Sequence, residues 1–377
     1  MIVKLGDVAT YINGYAFKPS DWSTNGLPII RIQDLTGNSY QCNRYNGEYD
    51  EKYEIVDGDV LISWSASLGV YVWKGEKSVL NQHIFKVVFD KCEIDKNFFV
   101  HQVANILEKA EVEAHGATMK HLTKKVFDSL SFYLPELEEQ RKIAETLDKV
   151  SDLIAKRKQQ LEKLDLLVKS KFVEMFGDPF VNPKSWNIVV FSDIIQNANN
   201  GMARRGNDLD GDIVLRLVEL QNGYIDYSSP NRIILNEAEK KRYRLLDKDF
   251  LFARVNGNPD NVGRCAVFND IKDPVYHNDH IIRVHFNDEL VNGTFLSVLL
   301  NSEYGKSEMR NKIKTSAGQY TISQDGIGAV KSILPPIKLQ TQFAEFVQQT
   351  EHTKSIIKQS LEKLETLKKA LMQEYFG

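Results

Sequence analysis

The chain has 377 residues, of which 42% are apolar and 26% charged, with a net charge of −3 and a pI near 6.3. This length exceeds one average hydrophobic core and predicts two or more domains. The slight acidity excludes a simple polycationic nucleic-acid binder, although it is compatible with local basic faces.

The N-terminus and the cysteines favour a cytoplasmic protein. Residues 1–12 lack the basic and then apolar order of a secretion signal, and no apolar run is long enough to cross a bilayer. Cys42, Cys92 and Cys265 are odd in number, far apart and without metal-ligand spacing. We therefore expect reduced thiols and no metal site.

Residues 1–134 form the first predicted domain, which is mainly β. Four segments have the alternation or the flanking turn residues of strands, and they cover 27–35, 56–67, 68–73 and 83–89. The last two alternate like strands of an antiparallel meander. A helix is predicted at 97–114 from the spacing of its apolar residues. A polar loop, a short helix and a strand then lead to Pro135.

A long helix is predicted over 135–177, which is rich in Leu, Lys, Glu and Gln and has no internal Gly or Pro. At a rise of 1.5 Å per residue it would be roughly 55–60 Å long. Its apolar residues recur at alternating spacings of three and four, as in the seam of a coiled coil. The seam residues are Leu147, Val150, Ile154, Leu161, Leu164 and Val168, with Arg157 as the interruption.

The same helix pattern returns 200 positions later, at 335–377, without a gap. The shared residues go beyond the apolar seam, because they include Gln140 and Gln340 and most of the block at 158–164. The intervening segment, 178–334, repeats the order of predicted elements in 1–134, with strands predicted at 213–220, 245–255 and 275–286 and a helix at 293–313. We interpret the chain as an internal duplication of a globular domain followed by a long helix. The predicted boundaries are 1–134, 135–177, 178–334 and 335–377.

A helix of this length with one apolar seam must bury that seam, and the other copy is the obvious partner. Pseudo-twofold symmetry would make the pair an antiparallel coiled coil, in an α+β protein with two tandem domains. The seam of the second helix consists of Val347, Ile357, Leu361, Leu364 and Leu371. Thr350, Lys354 and Lys368 also fall on it. These polar positions predict an incomplete bundle with room for helices of another subunit.

The most distinctive stretches are LEEQRKIAE at 137–145 and the join at 175–186, which begins MFGDP and ends NPKSW. Together with the order of domains and helices, they resemble the specificity subunit of type I restriction–modification systems over the whole chain. The second copy is more degenerate, with Lys338-Leu339 in place of Glu138-Glu139. The resemblance implies two target recognition domains, each reading one half of a bipartite DNA site, and two helices that act as a ruler between them.

The resemblance also implies partners and cofactors. The helices would dock two methyltransferase subunits and, through these, the restriction subunits that act as motor and nuclease. The chain itself would have no catalytic residues and no cofactor. Adenosylmethionine, ATP and Mg²⁺ would belong to the partner subunits.

DNA-reading side chains should lie in loops and offer hydrogen bonds to base edges, with cations nearby for phosphates. The candidates in the first domain are Tyr15, Lys18, Trp64, Ser65, Ser67, Lys120 and His121. Those in the second are Arg204, Arg205, Arg254, Asn256, Asn258, Gln319 and Tyr320. Arg and Asn pair bidentately with guanine and adenine. An ordinary exposed loop residue is the alternative at each position.

Two other matched pairs are interpreted as structural. His83 and His280 have no Cys or His at ligand spacing, which favours a strand-edge hydrogen bond over a metal ligand or a DNA contact. Arg31 and Arg216 precede an acidic residue by three positions within predicted strands. Residues three apart on a strand point to opposite faces, so each arginine would need a partner on another strand.

Resemblances to catalytic motifs are weak. Gly305-Lys306-Ser307 lacks the first glycine of a phosphate-binding loop and lies in a helical pattern. Asn258-Pro259-Asp260 lacks the second Pro and the aromatic residue of an amino-methyltransferase motif. Asp260, Asp270 and Lys272 have the spacing of a metal-dependent nuclease, but 269–274 is predicted to be a solvated turn.

The leading hypothesis is therefore a non-catalytic DNA-specificity subunit with an asymmetric bipartite target. Two alternatives stay open. One is a stand-alone DNA-modifying enzyme with a nuclease-like site at 259–272. The other is a coiled-coil adaptor whose β domains bind something other than DNA.

Overall fold

A computed structural model describes residues 1–38, 43–65, 67–114, 123–316 and 318–377 of the chain. These residues form two compact units. Unit 1 consists of Met1–Gln159 and Lys358–Gly377, and unit 2 consists of Gln160–Ile357. Each unit contains one globular domain together with part of both long helices. In the described ranges, no helix is both long and apolar enough to cross a membrane.

The helices include the two long ones predicted from the sequence. They are α1 (Ile32–Leu35), α2 (Lys96–Ala114), α3 (Lys124–Asp128), α4 (Leu137–Phe176), α5 (Glu237–Tyr243), α6 (Gly293–Leu300), α7 (Glu303–Arg310), α8 (Gln324–Gly328) and α9 (Ile337–Phe376). Helices α4 and α9 contain 40 residues each. Gly177 terminates α4, because its φ of 80° suits glycine and its N–H donates to the Val173 carbonyl.

The domain of unit 1 contains two four-stranded sheets and one strand pair. Its strands are β1 (Ile2–Lys4), β2 (Thr10–Asn13), β3 (Leu27–Ile30), β4 (Arg44–Tyr45), β5 (Glu54–Ile55), β6 (Val60–Ser63), β7 (Gly69–Val72), β8 (Ser78–Leu80), β9 (Ile84–Val88) and β10 (Ser131–Tyr133). The sheet orders are β2-β9-β6-β7 and β4-β3-β8-β5, and β1 pairs with β10. Strands β3 and β8 are parallel.

The domain of unit 2 repeats this arrangement. Its strands are β11 (Asn187–Val190), β12 (Ile195–Asn200), β13 (Asp212–Leu215), β14 (Arg232–Ile233), β15 (Phe250–Ala253), β16 (Val255–Asn256), β17 (Cys265–Val267), β18 (Val275–His277), β19 (Ile281–Phe286), β20 (Lys314–Ser316), β21 (Gln319–Thr321) and β22 (Lys331–Leu334). The orders β12-β19-β15-β17 and β11-β22 match those of unit 1, and β14-β13-β18 matches the first three strands of β4-β3-β8-β5. The prediction of two tandem mixed domains is therefore confirmed. The described residues of unit 2 also form a sheet of order β16-β21-β20.

Three details of the predicted strands are wrong. The segment 27–35 is a strand only as far as Ile30, and α1 follows it. Likewise β13 ends at Leu215. The meander order is also incorrect. Strands β7 and β9 both pair with β6, and β8 belongs to the other sheet, where it pairs with β3. Alternation along one strand does not identify its neighbour.

The early end of these strands changes the interpretation of the two arginines. Arg31 donates its backbone N–H to Asp34 at 2.8 Å, and Arg216 lies 2.7 Å from the Glu219 carboxylate. A residue and its third neighbour meet in a helical turn but not on a strand. The expectation that each arginine needs a partner on another strand is therefore wrong, whereas their structural role is supported.

A buried glutamine at the start of each long helix connects it to the preceding domain. The side chain of Gln140 accepts from Asp95 N at 2.9 Å and donates to Pro135 O at 2.9 Å. Gln340 accepts from Asn292 N at 2.9 Å and donates to Pro335 O at 2.7 Å. Because a buried amide without partners is costly, these bonds explain why glutamine occupies both positions.

Within unit 1, the C-terminal end of α9 packs on the domain core. The rings of Phe98 and Phe376 are 5.6 Å apart, and Lys109 Nζ donates to the Phe376 carbonyl at 3.0 Å. Lys158 of α4 forms an ion pair of 3.1 Å with Glu365 of α9. The predicted seam residues Leu147 and Val150 are buried in this unit. Ile154, Leu361, Leu364 and Leu371 are half-buried.

Within unit 2, α4 and α9 lie antiparallel. Asp165 contacts Lys354, and further along α4 the ring of Phe172 contacts that of Phe343. The predicted seam residues Val347 and Ile357 are buried here, and Leu161, Leu164 and Val168 are half-buried. Two of the polar seam positions, Thr350 and Lys354, have partners inside the chain. Thr350 donates to the Phe346 carbonyl, and Lys354 lies 2.7 Å from both Asp165 and Glu351.

The ion pairs of Lys354 keep its charge in a partly buried position. Burial works against the charged form, but the carboxylates of Asp165 and Glu351 outweigh it and raise the pKa of the ammonium. The seam therefore tolerates a lysine where α4 carries Ile154.

Candidate functional site

Both domains have an equivalent backbone hydrogen bond at one end of the sheet that contains β6 or β15, and we call this contact the backbone frame. Trp64 follows β6 and donates its backbone N–H to the carbonyl of His83, at 3.4 Å. Arg254 follows β15 and donates to the carbonyl of His280, at 2.8 Å. Because β6 and β15 occupy equivalent places in the two sheets, Trp64 and Arg254 are equivalent positions. The frame is conserved within the chain, but the side chains it presents differ.

An Asn-Gly pair, Asn13-Gly14 or Asn200-Gly201, lets the loop that follows it pack closely against the backbone frame of its domain. A Cβ atom on Gly14 would lie 2.1 Å from the Asn81 carbonyl oxygen, and one on Gly201 would lie 2.3 Å from that of Asn278. Only glycine permits this approach. The chain then bridges from Tyr15 to Asn81 in the first domain, and equivalently in the second. The repeated Asn-Gly was a sequence signal for this contact that the prediction missed.

In the first domain, the indole of Trp64 is half-buried. It stacks on Phe85 at 5.7 Å, lies 5.4 Å from the ring of His83, and donates its N–H to Asn13 at 3.2 Å. Tyr15 is 40% exposed and makes an edge contact with Tyr53. An aromatic surface therefore lies at the end of the sheet.

The remaining candidates of the first domain divide by exposure. Lys18 and Ser67 are exposed, but Ser65 is only 5% exposed, so its hydroxyl does not reach the surface. Lys120 and His121 lie outside the described residues.

In the second domain, Arg205 lies at the centre of a charged group beside the frame. Its Nη1 is 2.7 Å from Asp279 Oδ1 and donates to Ala203 O at 2.9 Å. Its Nη2 is 3.1 Å from Nε2 of His280. Arg254 is half-buried and donates to the Asp279 carbonyl at 3.2 Å. The structure thus brings together the predicted Arg205 and Arg254 with Asp279, which sequence reasoning missed.

His280 is a neutral acceptor in this group. Burial lowers its pKa, Asp279 opposes this, and the positive charges of Arg205 and Arg254 lower it further. Since a guanidinium can only donate, the contact with Arg205 requires an unprotonated Nε2. The structural interpretation of His280 is thereby supported, with Arg205 as its partner.

Arg204 has a different role from its neighbour. It forms a two-point contact with Glu239 at 3.1 and 2.9 Å and donates to the Ile234 carbonyl at 2.7 Å. Glu239 also caps the N-terminus of α5. These bonds attach the loop to α5, which favours a structural role for Arg204 over a DNA contact.

The sheet β16-β21-β20 carries most of the other candidates. Asn256 of β16 pairs with Tyr320 of β21, and Gln319 lies next to it, exposed. Asn258 is exposed, but its side chain accepts from Asp260 N at 3.0 Å and caps a short turn. The sheet therefore places Asn256, Gln319 and Tyr320 together.

The structure gives no support to a catalytic interpretation of 259–272 or 305–307. Asp260 lies in a 3-10 turn and is paired with Arg310 at 2.5 Å. Asp270 and Lys272 are exposed between β17 and β18, as the predicted turn requires. Lys306 lies inside α7 and pairs with Glu303. Among the described residues, no group of three His, Cys, Asp or Glu side chains could hold a metal ion.

A buried histidine below the second frame predicts acid sensitivity. His277 is fully buried, its Nδ1 contacts the Tyr243 carbonyl at 3.1 Å, and burial lowers its pKa to about 4. The folded state therefore binds fewer protons than the unfolded state between this pKa and the ordinary value near 6.5. As pH falls from 7 to 4, we expect His277 to remove about 3 kcal/mol from the free energy of unfolding.

The repeat supplies a matched variant for this test, because Leu80 occupies the equivalent position of β8 and is fully buried. Urea unfolding of the wild type and of His277→Leu should be compared at pH 7 and pH 4. The variant should lose less stability on acidification than the wild type. Equal losses would show that His277 is not the titrating group.

Comparison with known proteins identifies the family. The family model for the type I restriction modification DNA specificity domain matches residues 1–164 and 183–366. The chain belongs to this family. The two matches cover the two repeats, so the duplication seen in the sheets is also a duplication at the family level.

Similar proteins agree with this assignment. The chain is 25% identical to the type I restriction enzyme StySPI specificity subunit of Salmonella potsdam, over 91% of this chain and 80% of that one. It is 22% identical to the EcoKI specificity subunit of Escherichia coli K12, over 93% and 81%. The crystal structure of the type I restriction-modification S subunit from M. genitalium shares the fold, with a TM-score of 0.63, 14% identity and coverage of 100% and 96%.

The prediction of a type I specificity subunit is therefore confirmed, and with it the expectation that the chain is a non-catalytic subunit. The nuclease-like alternative and the adaptor alternative are not supported. The candidate DNA-binding residues and the domain boundaries stay predictions.

Proposed function

We propose that this chain selects the DNA target of a type I restriction–modification complex by reading two different half-sites, one with each domain. The long helices hold the two readers apart and dock two methyltransferase subunits. Through these, the restriction subunits join the complex. Adenosylmethionine, ATP and Mg²⁺ are bound by those partners, and this chain supplies the sequence recognition.

The observation that carries the proposal is the repeated frame with unlike side chains. The first domain presents the half-buried indole of Trp64 and the exposed Lys18. The second presents Arg254 and Arg205, with β16-β21-β20 beside them. Base edges are distinguished by the donors, acceptors and apolar groups that meet them. Two equivalent surfaces with different groups therefore support recognition of two different half-sites and an asymmetric target.

The near-neutral balance of each domain supports a shared load of phosphate contacts. Residues 1–134 carry 14 basic and 17 acidic side chains, and residues 178–334 carry 19 and 20. Affinity for DNA depends on the number of phosphates neutralised. Neither domain offers a large positive surplus, so tight binding should require the methyltransferase subunits as well.

The proposal is tested by expressing the chain with and without its methyltransferase in a host free of other methylation, and sequencing the methylome. We expect adenine methylation at one asymmetric bipartite site only when both are present. Methylation or cleavage by this chain alone would contradict the proposal. So would a methyltransferase that keeps the same site when this chain is omitted.

A further inference from the structure

Equivalent loops of the two domains carry cations in different electrostatic surroundings. Lys18 and Arg205 each lie four residues after the glycine of the repeated Asn-Gly pair, Gly14 or Gly201, so they occupy the same position of the repeat. Arg205 lies 2.7 Å from the carboxylate of Asp279. In the first domain, the position of Asp279 is taken by the neutral Gln82, one residue before His83. In the described part of the chain, no carboxylate forms an ion pair with Lys18.

The carboxylate of Asp279 reduces the positive charge that Arg205 can offer to a phosphate. Phosphate contacts raise affinity by releasing counterions, which requires uncompensated positive charge. Arg205 and Asp279 together are close to neutral. Lys18 has no such partner in the ranges that the structure describes, and a lysine can bind phosphate as a point charge. The electrostatics therefore favour different partners for these two equivalent residues.

The same contacts leave Arg205 able to read a base. Its guanidinium has five N–H donors. Nη1 donates to Ala203 O and lies 2.7 Å from the Asp279 carboxylate, and Nη2 contacts Nε2 of His280. Within the described residues, Nε has no hydrogen-bond acceptor. The Nε–H and one Nη2–H are left, and two donors are what guanine O6 and N7 accept in the major groove.

The guanidinium is also fixed before any ligand arrives. Its side chain is 52% exposed, yet three groups hold it in place. A long side chain that is already ordered loses less conformational entropy on binding. This preorganisation suits a directional contact with one base, whereas a contact with phosphate requires little geometry.

We propose that Arg205 reads a guanine in the half-site of the second domain, with Asp279 and His280 as positioning residues. The equivalent Lys18 serves as a phosphate contact in the first domain. This inference rests on the proposed function, since it assumes that the second domain reads DNA.

The experiment uses the complex of this chain with its methyltransferase and duplexes that contain the methylated site found by methylome sequencing. Each base pair of the second half-site is replaced in turn, and Kd is measured at several salt concentrations. For Arg205→Ala we expect discrimination at one G·C pair to fall by roughly 5- to 150-fold. The salt dependence of binding should stay nearly unchanged. Lys18→Ala should weaken all duplexes alike and reduce the slope of log K against log salt by about 0.9.

Two further variants separate reading from folding. Arg205→Lys keeps the charge but loses the planar fork, so it should lose the same G·C preference. Asp279→Asn frees the charge of Arg205, so it should steepen the salt dependence and weaken the preference for that base pair. A variant that disturbed only the fold would weaken binding without selecting one base pair.

The possible failures are distinguishable. If the wild-type complex methylates no bipartite site, the proposed function fails. If it does, but the second half-site contains no specific G·C pair, the inference about Arg205 is overturned alone. It is also overturned if Arg205→Ala keeps every base preference, or if it lowers the salt slope as Lys18→Ala does.

Discussion

Insertion of one heptad into each long helix is expected to lengthen the unread gap of the DNA target by about three base pairs while both half-sites stay the same. Seven residues add about 10.5 Å of helix, and successive base pairs are about 3.4 Å apart. A heptad also returns the seam residues to the same side of the helix. Methylation at the original spacing should then be lost.

Matched insertions after Gln159 and Gln359 would make this test, since the repeat places these glutamines at equivalent positions. Methylome sequencing reads both half-sites and the gap in one measurement. A five-residue insertion at the same points is the control, because it rotates the seam by roughly 140° and should abolish assembly. An unchanged gap after the heptad insertion would show that the helices do not set the spacing.

The periodic parts of the fold could be predicted from the sequence. The two long helices follow from forty residues of uninterrupted helical pattern, and the repeat follows from shared residues such as Gln140 and Gln340. Here the side-chain spacing and the intrinsic propensities indicate the same structure. The central strands β6 and β15 were also predicted, because a turn residue precedes an apolar run in each.

Tertiary contacts explain where these predictions failed. The sequence 293–313 has one helical pattern, but the structure divides it into α6 and α7. Asn301 causes the interruption, since its amide donates to the carbonyl of Cys265 in a neighbouring strand, at 2.9 Å. Ser302 then caps α7. No periodicity reports a bond to a residue 36 positions away.

In the candidate site, the sequence likewise predicts the residue types but not their contacts. Loop arginines and asparagines were correctly singled out as a class, because their hydrogen-bonding groups suit base edges. Which of them is available depends on partners that only the fold supplies. The guanidinium of Arg204 forms hydrogen bonds with Glu239, whereas the contacts with Asp279 and His280 leave part of the Arg205 guanidinium exposed. Two adjacent arginines in one loop therefore acquire different roles.

The second large effect is expected from Phe343→Ala, which should lower the free energy of unfolding of unit 2 by about 3–5 kcal/mol. Phe343 is fully buried on α9, in a cluster with Phe172 and Phe176 of α4 and Phe295 of α6. Its ring meets those of Phe172 and Phe176 edge-on, at 5.5 and 5.4 Å. Truncation removes these contacts and leaves a cavity that a packed cluster cannot close.

Ile356→Ala is the matched control, because Ile356 lies on the same helix and is 56% exposed. Its effect should stay within about 0.5 kcal/mol. Urea unfolding gives the overall change, and hydrogen exchange followed by mass spectrometry shows which peptides lose protection. Peptides of α4 and α9 within unit 2 should exchange faster in Phe343→Ala. Since this cluster joins both helices to the second domain, an effect no larger than that of Ile356→Ala would mean that the aromatic rings do not hold them together.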